Sequence, residues 1–116
     1  MILAVLDDLL FSSKIRNAAA QTGTPVRFAK SSEDALAEMR KSLPSLVIFD
    51  LNSRHTEPLA TLAAMKKDSA LATIPTLGFA SHIQSDVFTA ARDAGMDEVL
   101  ARSAFTQKLG EIIRDI

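Results

Sequence analysis

Five short apolar runs are spaced along this chain, and a helix-like stretch follows each of them. The first, Ile2-Leu3-Ala4-Val5-Leu6, and the third, centred on Leu46-Val47-Ile48-Phe49, contain no polar residue to alternate with. Runs of that kind read as strands buried on both faces. The third strand is expected over Ser45–Leu51. The second, Pro25–Ala29, is shorter. The fourth, Thr76–Ala80, is opened by Pro75, and the fifth covers Glu98–Ala101.

Between the strands the apolar spacing changes to that of helices. Ile15, Ala18 and Ala19 share a face of a segment from Ser12 to Thr22, with Ser12 or Ser13 as its cap and Gly23 as its stop. Ser31 and Asp34 have capping-box spacing at the head of a second helix, which buries Leu36 and Met39 and stops before Pro44. Pro58 suits the first turn of a third, carrying Leu59, Leu62, Ala63 and Met65. A fourth is predicted over about Gln84–Ala94, with Val87, Phe88 and Ala91 inward and Gly95 after it. Ser103 is expected to cap a fifth, carrying Phe105, Leu109, Ile112 and Ile113. Gly110 inside it costs about 1 kcal/mol relative to Ala.

The order βαβαβαβαβα demands a parallel sheet with helices on both faces, and right-handed crossovers leave few topologies. No repeat or linker interrupts it, so residues 1–116 are read as one domain.

Composition narrows the chemistry. The net charge of -1 gives no electrostatic case for nucleic acid or an anionic membrane. No apolar stretch approaches the ~20 residues that span a bilayer. No basic segment precedes the first apolar run, so a cytoplasmic protein is expected. Cysteine is absent, which removes thiolate metal sites and cysteine nucleophiles. Trp and Tyr are absent too, which weakens any sugar- or base-stacking site.

Asp50 carries the most information. It stands where the third apolar strand runs out, at the edge that holds the functional crevice of open α/β sheets. Asp7-Asp8 ends the first strand in the same way. If those strands are neighbours, the carboxylates converge. Clustered carboxylates suit a hard cation such as Mg²⁺, and an Asp can itself accept a phosphoryl group.

With these residues in place, the chain resembles the response-regulator receiver domains of two-component signalling along nearly its whole length. Val47-Ile48-Phe49-Asp50-Leu51-Asn52 looks like the family's phosphoacceptor segment, with Asp50 on the acceptor. The resemblance implies a flavodoxin-like α/β fold, a single doubly wound sheet of strand order 2-1-3-4-5. It also implies Mg²⁺ held by Asp7, Asp50 and the backbone carbonyl of Asn52, with Asp8 less central. A histidine kinase or phosphotransfer protein would be the donor. An output protein would meet the face built from the fourth helix, fifth strand and fifth helix, where Phe88, Val99, Ala101 and Phe105 fall, and a homodimer is a further option. No enzymatic turnover is implied.

The match departs from the family at defined positions. Leu6 takes the place of the first acid of the pair. Ala80 stands where a Thr or Ser is usual, with Ser81 one residue on. Arg102 replaces the Lys, Ser103 the Pro, and Val99 the switching aromatic. A guanidinium keeps the charge but spreads it over a wider planar fork. Loss of the hydroxyl and the aromatic removes the usual relay between them. A second reading follows, a non-phosphorylated interaction or dimerisation module in which Arg102 neutralises Asp50 permanently.

Other candidates are weaker. His55 reads as an exposed loop residue. His82 has no helical partner at zinc-ligand spacing. Ser81, His82 and an Asp do not make a hydrolase, because no Gly-x-Ser-x-Gly turn is present. A flavin site would lack the aromatic residues needed to sandwich its ring.

Overall fold

Apolar strands with nothing polar to turn outward must lie between two layers. The chain satisfies this with β1 (Ile2–Val5), α1 (Leu9–Thr22), β2 (Val26–Ala29), α2 (Ser32–Lys41), β3 (Leu46–Asp50), α3 (Pro58–Lys67), β4 (Thr76–Ala80), α4 (Ser85–Asp93), β5 (Glu98–Ala101) and α5 (Arg102–Arg114). This is a computed structural model, and it describes residues 1–81 and 85–116. The strands form one parallel sheet in the order β2-β1-β3-β4-β5, as the resemblance implied.

Side-chain parity divides the core between the two faces of the sheet. Ile2, Ala4, Leu6, Leu46, Ile48, Leu77 and Phe79 pack with Ile15 and Ala19 of α1 and Leu109 and Ile113 of α5. Leu3, Val5, Val47 and Phe49 point the other way, onto Ala35 and Met39 of α2, Leu62 and Met65 of α3 and Ala91 of α4. Asp50 has the parity of Ile48, so it shares the α1/α5 side. Phe11, Phe79 and Phe105 stack there, with ring centroids 5.1 Å apart for Phe11–Phe79 and 4.4 Å for Phe79–Phe105. Phe79 and Phe105 are fully buried, and removing each ring from water contributes about 1.5–3 kcal/mol.

Several ends fall elsewhere than the pattern predicts. α1 begins at Leu9, capped by Asp8 and not by Ser12 or Ser13. Asp8 Oδ1 accepts from the amides of Leu10 and Phe11 at 2.9 and 3.1 Å, while Ser12 Oγ turns back to the Asp8 carbonyl at 2.8 Å. The extra turn carries Leu9 and Leu10, 73% and 67% exposed, and these break the amphipathic pattern that marks a helix start. Gly23 ends α1 in the left-handed conformation, φ 68°, as expected of a glycine stop. Ser31 caps α2 through the Asp34 amide, and Pro58 opens α3. Ser103 is not a cap: α5 starts at Arg102, follows Ala101 without a side-chain cap, and runs through the exposed Gly110 to Arg114. Gln84, the expected start of the fourth helix, lies outside the described residues. β1, β2 and β3 are each shorter than expected by one or two residues.

The sheet edges are β2 and β5, each four residues long. Arg27 on β2 pairs with Glu38 at 3.1 Å, and β5 opens with the exposed Glu98. Among the described residues, no helix is long and apolar enough to cross a membrane.

Candidate functional site

Register brings the candidate residues to one edge. β3 lies between β1 and β4, with Val5 opposite Phe49 and Asp50 opposite Phe79. Asp7 follows two residues after β1 ends, Ser81 one residue after β4, and Arg102 directly after β5. All surround Asp50.

Asp50 is buried, with 3% of its surface exposed. Its Oδ1 accepts from the Asn52 amide at 2.9 Å, an Asx turn that starts the loop after β3. Arg102 Nη2 stands 3.5 Å from the same oxygen. Among the described residues, every side-chain hydrogen bond and ion pair of Asp50 falls on Oδ1. Burial pushes its carboxyl pKa up from 3.8. The Asn52 amide and the Arg102 charge pull it back, Asp8 and Asp7 add to the rise, and the net shift is upward.

The Arg102 guanidinium lies over aromatic rings. Its central carbon lies 4.8 Å from the Phe11 ring centroid and 5.7 Å from that of Phe79. Nε is buried without a hydrogen-bond partner among the described residues, and both rings lie within cation–π distance of the guanidinium. Nη2 also approaches Asn52 Oδ1 at 3.4 Å, and that oxygen accepts from the Ser81 amide at 3.0 Å. Phe11 and Phe79 form a seat for Arg102 that the pattern of apolar positions does not announce. Both read there only as core. The signal that could have found them is the Lys-to-Arg change itself, because a flat cation asks for a flat partner.

The acids divide their duties. Asp7 Oδ1 accepts from Ser53 Oγ at 3.0 Å, and Asp8 Oδ1 is spent on capping α1. Ser53 was not singled out from sequence. It joins the loop after β3 to the end of β1, and it also receives the Thr56 amide at 3.4 Å. Buried Thr61 continues the polar path, with Oγ1 2.9 Å from the Thr56 carbonyl and 2.7 Å from Ser32 Oγ. Among the described residues, no three His, Asp or Glu side chains come together as a metal-holding group. Two carboxylates, Asp7 and Asp50, and the Asn52 carbonyl remain as oxygen donors. That set fits Mg²⁺, which is commonly held by one or two carboxylates and keeps several waters.

Ala80 is fully buried and lies opposite Ala101, while Val99 lies opposite Gly78, so neither position supplies a hydroxyl or an aromatic ring. Phe105 belongs to the core stack and is not on the surface. His55 is exposed, as expected, and His82 lies outside the described residues.

Comparison with known proteins agrees with this geometry. Residues 2–114 match the response regulator receiver domain family. The transcriptional activator protein ExaE of Pseudomonas putida is 31% identical over 94 residues, which are 81% of this chain and 43% of that protein. The chain thus spans less than half the length of this relative. The phosphorylated cyanobacterial phytochrome response regulator RcpA superposes with a TM-score of 0.82 at 24% identity, covering 98% of this chain and 88% of the other. The Mn²⁺-bound response regulator Rcp1 gives 0.80 at 19% identity, covering 99% and 89%.

Proposed function

Because this chain belongs to the response regulator receiver domain family, whose general function is to accept a phosphoryl group, we propose that Asp50 is its phosphoacceptor. The observation that carries this is the state of Asp50: a buried carboxylate at the end of β3 with donors gathered on one oxygen. Oδ2 is then the oxygen presented to phosphorus. It forms the new O–P bond as the bond to the donor breaks, and the donor leaves with the electron pair. For a phosphohistidine donor the bond broken is N–P. The protein's part is to position and to balance charge.

Arg102 supplies one positive charge beside the incoming group. Asp7, Asp50 and the Asn52 carbonyl would hold Mg²⁺, which when bound offsets the remaining negative charge of the transferred group. The Mn²⁺ named for one structural relative supports such a site by analogy. The donor is a histidine kinase or phosphotransfer protein, and exposed Leu9 and Leu10 beside the site offer it an apolar foothold. The α4–β5–α5 face passes the state to an output protein. We read the chain as a cytoplasmic signalling module with no released product of its own. Ala80 and Val99 mean that any change of state uses groups other than a hydroxyl–aromatic pair.

A second reading has its own support. The Arg102–Asp50 pair already balances the acceptor's charge, as it would in an interaction or dimerisation module that is never phosphorylated. Intact mass after incubation with acetyl phosphate separates the two. The first reading expects a Mg²⁺-dependent gain of one phosphoryl group that Asp50→Asn abolishes. No gain under any condition leaves the second.

A further inference from the structure

Asn52 is engaged at both ends. Its amide donates to Asp50 Oδ1 at 2.9 Å, which fixes the loop. Its side-chain oxygen takes the Ser81 amide at 3.0 Å and faces Arg102 Nη2 at 3.4 Å. Those two donors come from the ends of β4 and β5, the two strands that follow the acceptor's strand on one side of the sheet, and both converge on one neutral oxygen. Nη2 is long for a hydrogen bond to either of its oxygens, 3.4 Å to Asn52 and 3.5 Å to Asp50, so it is shared and fully committed to neither.

An anion on Asp50 needs such donors. Alanine at position 80 brings no hydroxyl of its own, and the Ser81 amide and Arg102 are the donors placed to receive the anion. A charged oxygen binds N–H donors about twice as strongly as a neutral one. Resting on the acceptor reading of Asp50, we infer that the Asn52 carboxamide stands in for a phosphoryl oxygen in the resting site. It holds the Ser81 amide and Arg102 until the phosphoryl group displaces it, and so restrains the rate at which Asp50 is modified. The role belongs to the side chain; the Asn52 carbonyl considered for the metal is untouched by it.

The test compares acetyl phosphate labelling of the wild type, Asn52→Ala and Asn52→Asp with Mg²⁺ present. In each case a carboxylate oxygen of Asp50 bonds to phosphorus and acetate departs with the electron pair. Asn52→Ala frees both donors and is expected to label about fivefold faster, the rate equivalent of one ordinary net hydrogen bond. Asn52→Asp keeps an acceptor in place and adds a negative charge, so it is expected to label more slowly than wild type. A loosened loop would not produce that order. The Ser81 amide gives the second readout: its proton is expected to lose hydrogen-exchange protection in Asn52→Ala and to regain it once Asp50 is phosphorylated. Labelling of Asn52→Ala at or below the wild-type rate overturns the inference alone. No adduct on any of the three proteins overturns the acceptor reading and this inference with it.

Discussion

Arg102 lies over Phe11, with 4.8 Å between its guanidinium carbon and the ring centroid, while its Nη2 stands 3.5 Å from Asp50 Oδ1. The cation is placed by an aromatic surface as much as by its own anion.

Arg102→Lys should therefore fail to improve the site, although a lysine is what the wider family resemblance leads one to expect there. An ammonium on a flexible stem loses the flat contact with Phe11 and Phe79. Labelling of Asp50 by acetyl phosphate is expected to fall about threefold, in line with the loss of an exposed cation–π contact. A rate at or above wild type would show that the seat does not matter.

Asp50→Asn is expected to stabilise the fold at neutral pH. Burial raises the Asp50 pKa above 3.8, so the folded chain binds that proton more tightly than the unfolded one. The contribution of Asp50 to stability is thus fully present below 3.8 and is lost as pH rises through the folded-state value. Thermal melts should show Asn ahead at pH 7, with the gap closing on acidification. A gap that widens toward low pH would contradict the shift.

Mg²⁺ binding should depend on Asp7 and on the hydroxyl that orients it. Titration is expected to shift the amide resonances of Asn52 and Ser53 in the wild type and not in Asp7→Asn. Ser53→Ala removes the 3.0 Å bond to Asp7 and is expected to weaken affinity about tenfold. Equal affinity in all three proteins would place the ion elsewhere.

Gly78→Ala tests the floor beneath the site. A methyl group there would run into Met96 and lie 2.9 Å from Leu51 Cδ1, directly after Asp50 in sequence. Methionine can bend away, but Leu51 is fixed in the core. A loss of about 1–3 kcal/mol in denaturant unfolding is expected.

Glu57→Gly should do the opposite. Glu57 adopts φ 46°, and it is the non-glycine residue with positive φ among those described. A side chain costs about 1–2 kcal/mol in that conformation, and Glu57 makes no side-chain cap bond to α3. A gain of about 1 kcal/mol in the same experiment is expected, with no change at Asp50.

The alternation of strands and helices and the place of Asp50 at a strand end could be read from the apolar patterning, whereas the strand order came only through the family resemblance. Uninterrupted apolar runs at Ile2 and Leu46 mark strands buried on both faces, and a carboxylate that ends such a run has one edge to occupy. The start of α1 was hidden because Leu9 and Leu10 are apolar yet exposed, so the helical face seemed to begin later. Ser103 looked like a cap because its residue type suits one, but β5 passes directly into α5 and leaves no room for a capping residue. The seat of Arg102 and the link from Ser53 to Asp7 join residues that lie 91 and 46 positions apart. Contacts of that separation depend on how the layers meet, which no local period encodes.

The short outer strands carry a consequence for self-association. A sheet that ends in free backbone donors and acceptors invites another chain to continue it, and such growth has no natural stopping point. Here each border offers only four residues, with Arg27 on one and Glu98 on the other. Continuation of the sheet from molecule to molecule is thereby discouraged. Any pairing between copies is steered away from the strand edges and toward the helical faces.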